Sequence, residues 1–183
     1  MQFSEIESSV REILKLDFDE RDREIHASVL GIKQEMINRG LIVSTMSAQS
    51  LAEFFFAEFK VRIDSIAERS LWALRSDDAM VDLNGVPAGR ALFQTLANDQ
   101  LTRLLTAYDS YVAPIVAPLQ SNMPVQIRDR LVERTSGYMR RIDLAVDLEY
   151  KSHAGAAKEV LTLRPTIYGV GVDLKELWKR FFG

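Results

Sequence analysis

Apolar residues step through the first forty positions at helical intervals: Ile6, Val10, Ile13 and Leu14, then Ile25, Val29, Ile32 and Met36. Steps of three and four residues put these side chains on one face of a helix. Ser4 and Glu7 precede the stripe at capping-box spacing, where hydroxyl and carboxylate satisfy each other's free backbone donors. Between the two runs, Asp17-Phe18-Asp19-Glu20-Arg21-Asp22 keeps the stripe through Phe18 alone. Two readings stay open: one helix to about Arg39 ended by Gly40, or a kink near Asp19.

The second helix has the strongest pattern. Ala52, Phe56, Phe59, Ile63, Ile66, Ser70 and Ala73 step by four and three in alternation. Ser47 is the expected N-cap, with Met46 and Leu51 at the two positions of a hydrophobic staple. A second, narrower stripe carries Phe54, Val61 and Trp72 on roughly the opposite side. A helix apolar on two sides is expected to be covered on two sides, which puts this one at the centre of the fold.

Residues 77–89 are punctuation. Asn84-Gly85 suits a tight hairpin turn, but a helix–helix connection ending at Pro87 is preferred, since proline suits a first helical turn. A third helix follows through Phe93, Ala97, Leu101, Leu104 and Tyr108. Pro114 and Pro118 each lack a backbone donor, so residues 112–123 are expected to form a kinked or extended crossing. Pro124 restarts the chain, and Leu131, Val132, Thr135, Tyr138, Met139, Ile142, Ala145 and Val146 predict a fourth helix to about Tyr150. Past His153-Ala154-Gly155, the β-rich, glycine-punctuated runs 160–163 and 166–172 read as extended chain.

The last residues form a short amphipathic helix in prospect. Asp173 caps, Glu176 sits at the N3 position, and Val172 with Leu177 makes a staple. Leu174, Leu177, Trp178, Phe181 and Phe182 share one broad apolar face, with Lys175, Glu176, Lys179 and Arg180 on the other side. This face asks for a cover. It can close the chain's own core, dock on a partner protein or a second copy, or lie on a membrane surface.

Composition narrows the classes. With 183 residues, 47% of them apolar, the chain suits one domain large enough to hold its own core. The absence of cysteine excludes thiol catalysis, thiolate metal sites and disulfides. A net charge of −3 argues against a general nucleic-acid footprint. The acidic N-terminus lacks the pattern of a signal peptide, and no apolar run approaches the ~20 residues of a spanning helix, so the expected compartment is the cytoplasm.

The candidate chemistry is sparse. His26 shares a helical face with Asp22 and Asp19, which permits a carboxylate–imidazole pair or a metal site, but no ligand pattern is completed. A solvated acidic face with an orienting hydrogen bond is the simpler reading. His153 beside Ser152 is expected in a surface turn, where adjacency does not oppose a base to a nucleophile. Tyr168-Gly169-Val170-Gly171-Val172-Asp173 lacks the third glycine of a dinucleotide loop and the Gly-Lys-Ser/Thr of a P-loop. On the fourth helix, Arg128, Arg130, Arg134, Arg140 and Arg141 are nearly cancelled by Asp129, Glu133, Asp143, Asp147 and Glu149. Exposed i, i+4 pairing explains that pattern without DNA. The carboxylate pairs Glu53 with Glu58 and Asp64 with Glu68 are expected to be solvated.

The expected architecture is therefore a mainly helical single domain. Residues 1–155 form an antiparallel bundle-like core of four long helices, 156–172 an extended crossing, and 173–183 the terminal helix. The expected function is non-enzymatic protein interaction or scaffolding, with no cofactor, no metal and no small-molecule ligand assigned. The apolar side chains Leu174, Leu177, Trp178, Phe181 and Phe182 are the candidate contacts with a protein partner or a second copy. The alternatives are membrane-surface association through the same helix, or an enzyme with a pocket between helices.

Overall fold

A computed structural model describes residues 3–76, 85–119 and 121–159 of the chain. These residues form four helices: α1 (Phe3–Asn38), α2 (Thr45–Ser76), α3 (Gly85–Val116) and α4 (Met123–Glu159). The protein is mainly helical, with no strand among the described residues.

The first helix runs unbroken through the acidic stretch around Asp19. It ends at Gly40, whose φ of 68° is the left-handed conformation glycine adopts without a Cβ clash. Gly40 N–H donates to the Ile37 carbonyl at 2.9 Å and Leu41 N–H to the Met36 carbonyl at 2.8 Å. That pair of bonds is a Schellman closure, which satisfies two carbonyls the helix end leaves free.

The cap of α2 lies three residues earlier than the sequence suggests. Ser44 is the N-cap: its Oγ accepts from Ser47 N–H at 3.2 Å. Ser47 is instead buried in the first turn, where its hydroxyl donates to the Leu41 carbonyl at 2.6 Å. With the cap at Ser44, Met46 and Leu51 no longer hold the two staple positions, and Met46 is half exposed.

Two helices run longer than expected. α3 continues past Pro114 to Val116, where a kinked or extended crossing was expected. Pro114 is exposed near the helix end, so its missing donor costs one bond, to a carbonyl that water can reach. α4 passes Tyr150 and Gly155 and ends at Glu159, so His153 lies in a helix and not in a turn. A lone glycine costs a helix only about 1 kcal/mol relative to alanine, too little to stop one that packs well. The expected extended segment now starts no earlier than residue 160, and residues 160–183 lie outside the described residues.

Side-chain pairings fix the directions. Arg21–Glu58 and Asp22–Arg62 join α1 to α2, Arg62–Gln100 joins α2 to α3, and Arg128–Asp109 and Arg90–Asp143 join α3 to α4. From Asp109–Arg128 to Arg90–Asp143 the numbers fall on α3 as they rise on α4, so those two are antiparallel. Asp22–Arg103 and His26–Tyr111 rise together, so α1 and α3 are parallel. Glu53–Arg134, Asp64–Tyr138 and Ser70–Tyr150 rise together, so α2 and α4 are parallel. α2 packs on all three others, while no Cα of α1 comes within 8 Å of one in α4. The cross-section is a rhombus, with α2 and α3 on the short diagonal and α1 and α4 at the far corners.

The core is built from α2 outward, through Leu51, Phe55, Phe59, Ile63 and Ile66. α1 adds Val10, Leu14, Phe18, Ile25 and Val29. Each such side chain contributes roughly 1.5–3 kcal/mol on burial, against 0–1 kcal/mol or so for an exposed ion pair. The apolar row therefore holds α1 to the bundle.

Tyr150 closes the lower end of the α2–α3–α4 triangle. It is fully buried, and its hydroxyl donates to the Ser70 carbonyl at 3.2 Å. Gly89 makes room for it, since a Cβ there would stand 2.5 Å from the Tyr150 oxygen. Gly89→Ala is expected to lower stability by about 1–2 kcal/mol. The overpacking penalty of about 1–3 kcal/mol outweighs the helix propensity gained. A urea denaturation curve at or above the parent midpoint would show that Tyr150 yields without strain.

Candidate functional site

A charged cluster sits where α1, α2 and α3 meet. Arg62 is completely buried, an arginine on a row of core positions running Phe55, Phe59, Arg62, Ile66. Its Nε donates to Glu58 Oε1 at 2.8 Å, Nη1 to Gln100 Oε1 at 2.8 Å, and Nη2 to Asp22 Oδ1 at 2.6 Å. Its guanidinium carbon lies 5.2 Å from the centre of the Phe18 ring. Glu58 also accepts two bonds from Arg21, both 2.8 Å, and Arg103 pairs with Asp22 and, at 3.7 Å, with Asp19. Three arginines face three carboxylates.

Burial pushes the Glu58 carboxyl upward, but hydrogen bonds from Arg21 and Arg62 outweigh it and hold the group below its ordinary value. Glu58 is held as a carboxylate, and Gln100 supplies the acceptor that the acids do not give to Arg62. Its chemistry is to fix how α1 sits on α2 and α3, since a slip along the axis would strand a buried charge. Sequence reasoning missed Arg62. The available signal was a cation at a core step, three residues after Phe59 and four before Ile66.

The other candidates resolve as follows. His26 does not pair with Asp22, which Arg62 and Arg103 occupy; its Nδ1 lies 3.0 Å from the Tyr111 hydroxyl on α3. Glu58 is buried, not solvated, and Asp64 accepts a 2.6 Å bond from the Tyr138 hydroxyl. Burial raises the Asp64 carboxyl above its ordinary value against that bond. Glu53 and Glu68 are exposed as expected, Glu53 pairing with Arg134. Burial pushes the phenols of Tyr108 and Tyr150 up to about 12. No three His, Asp or Glu residues converge as metal ligands among the described residues.

The arginines of α4 do not pair along their own helix. Arg128 goes to Asp109 of α3 and Arg134 to Glu53 of α2, while Asp143 and Asp147 receive Arg90 of α3. The i, i+4 explanation is therefore wrong for them, because packing offered closer carboxylates on neighbouring helices. Arg130 and Arg140 have no ion-pair partner among the described residues, and Arg141 lies over the Tyr138 ring at 5.6 Å.

The second stripe of α2 is not covered on two sides. Glu58 and Arg62 turn to α1, and Lys60 and Asp64 turn to Tyr138 of α4. At about 100° per residue, Phe54, Ala57, Val61 and Trp72 fall between them, on the side where α1 and α4 stand apart. Val61 is 42% exposed and Trp72 51%, while Phe54 is half-buried. The exposed Glu68 stands on the same line, seven residues after Val61, so this outward face of α2 is mixed apolar and acidic. The same rotation turns Asp17 and Glu24 of α1 toward that side, where Glu58 first, and Glu24 after it, raise the pKa of Arg21 above its ordinary value. It turns Arg130, Arg134 and Arg141 of α4 toward the opposite side, with the exposed Leu148 beyond them. The outward face of α3, by contrast, is polar: Thr95, Asn98, Asp99, Thr102 and Thr106 are exposed there.

The terminal candidates Leu174, Leu177, Trp178, Phe181 and Phe182 lie outside the described residues. No described helix is long and apolar enough to cross a membrane. Neither a family model, nor a curated protein, nor a solved structure matches this chain.

Proposed function

We propose that the protein is a non-catalytic interaction module that receives an amphipathic helix on the outward face of α2. The observation that carries this reading is the exposure of Ala57 and Val61 along that face, in line with the carboxylate of Glu68. A helix laid on α2 there would bury apolar side chains at helical spacing, as helix-in-groove recognition does. The non-catalytic reading draws support from the charged cluster, whose buried members Arg62 and Glu58 are already paired, with each other and with Asp22, Gln100 and Arg21.

A designed peptide tests it. The probe carries leucines at i, i+4, i+7 and i+11, a lysine placed to meet Glu68, and a fluorescent label. Its anisotropy is expected to rise saturably with the full chain. Val61→Glu should weaken that binding at least tenfold, since a second carboxylate beside Glu68 would be desolvated without a partner. Equal binding to both proteins, or none to either, sinks the reading.

A further inference from the structure

We infer that the end of the bundle built by the α1–α2 and α3–α4 connections binds the same end of a second copy of the chain, giving a symmetric end-to-end dimer. This surface lies away from the outward face of α2 and is independent of the helix-binding reading above.

α1 and α3 run one way and α2 and α4 the other, so α1 and α3 end where α2 and α4 begin. The ends are level. Lys33, five residues before the end of α1, stands over the ring of Tyr111, five before the end of α3. Arg128, five residues after the start of α4, pairs with Asp109 of α3. Gln120 apart, every residue outside the described ones joins the helices at the opposite end.

Charge sets this end apart. The chain is 27% charged, yet no Asp, Glu, Lys or Arg occurs from Gly40 to Ala52 or from Ser110 to Ile127, the two runs that build it. Ile37, Val43, Met46, Met123 and Val125 stand there between 43% and 60% exposed. Pro114 and Pro118 are exposed among them. Five half-exposed side chains of this size leave on the order of 400 Å² of apolar surface in water, the scale at which an exposed patch marks an interaction site.

The composition selects a second copy as the cover. Across a two-fold axis a patch meets itself, so an unpaired charge near the axis would face its like. Here apolar groups meet apolar groups. The exposed polar groups include the amides of Asn122 and Gln126, and an amide both donates and accepts, so it pairs with its own kind. A lipid surface is matched less well, since it draws on free Lys and Arg beside aromatic side chains. Arg39 and Arg128, which flank the two runs, are held by Glu35 and Asp109, and the Tyr111 ring packs on Phe55. The patch is smaller than the ~800 Å² per partner of a standard interface, so the dimer is weak, with a dissociation constant on the order of micromolar or above.

Sedimentation velocity of the full chain tests this. Over about 1–500 µM, which spans weak association, the weight-average mass is expected to rise from that of one chain to that of two. It should level there, because an isologous contact closes at two copies. Added salt should not weaken the dimer, since no ion pair crosses it. Val43→Glu and Val125→Glu, at exposed positions on the two runs, should each raise the dissociation constant at least tenfold with far-UV circular dichroism unchanged. Leu16→Glu, exposed on α1 outside the patch, should associate like the parent. Any of five results overturns the inference: one chain's mass throughout, a mass that climbs past two, a dimer that both Val→Glu variants leave intact, a Leu16→Glu loss as large as theirs, or a monomer that floats with phosphatidylcholine vesicles except in Val43→Glu, which would make lipid the cover.

Discussion

Glu58→Ala is expected to cost the fold about 3–5 kcal/mol, the usual loss when one partner of a buried ion pair is removed. Arg62 would stay at 0% exposure with Asp22 as its remaining counter-charge, and Arg21 would lose both of its bonds. Arg62→Met should be far milder, about 1–2 kcal/mol, the scale of lost hydrogen bonds to charged groups. It removes the buried charge and keeps the stem's volume. Glu58 then still accepts two bonds from Arg21, and Asp22 still has Arg103. Urea denaturation of both variants checks the order. Equal losses would mean that Arg62 matters for its packing and not for its charge.

The same cluster predicts an acid response. Glu58 titrates below its ordinary value of 4.5 when folded, so its contribution is complete above that pH. The contribution fades as pH falls through the folded-state value, when the carboxylate takes up a proton its arginines oppose. Asp64, raised by burial, has the opposite sign and favours the folded chain at low pH. Glu58→Gln should therefore flatten the loss of stability below about pH 4.5, and Asp64→Asn should not.

Much of this architecture was legible in the apolar steps of three and four. They foretold four long helices, and Phe59, Ile63 and Ile66 of α2 are buried as expected; α2 is central too, though the second stripe on which that expectation rested stays exposed at Val61. Gly40 was legible as the end of α1 for a physical reason: it alone accepts the positive φ that a Schellman closure needs. Punctuation misled where its energy is small beside packing. Pro114 and Gly155 each disturb one local step, while the helices around them bury whole rows.

The candidate site was less legible because it depends on which helices fail to touch. Phe54, Val61 and Trp72 were read as a second apolar side of α2, but the gap between α1 and α4 is a property of the rhombic cross-section. Periodicity gives the direction of a side chain about its own axis and says nothing of the neighbour it meets. The ion pairs of α4 were misread for the same reason, since Arg128 and Arg134 found carboxylates 19 and 81 residues away.

Phe59→Ala is the second large effect, an expected loss of about 3–5 kcal/mol. Phe59 is 1% exposed and lines a narrow gap with Phe55, Leu101, Leu104 and Leu131. Removing its ring extends a gap that the bundle has not closed, so little relaxation is expected and the cost should sit high in the range for such deletions. The enlarged space is walled by carbon, apart from Thr135, whose hydroxyl already donates to the Leu131 carbonyl at 2.9 Å. Water would find no partner there, and a cavity of that kind stays dry and admits small aromatic molecules. Benzene at about five times its dissociation constant should therefore return on the order of 1 kcal/mol to Phe59→Ala and nothing to the parent. A variant that melts like the parent would place Phe59 at the rim of the core. A variant that is destabilised but indifferent to benzene would show that the four helices close over the missing ring.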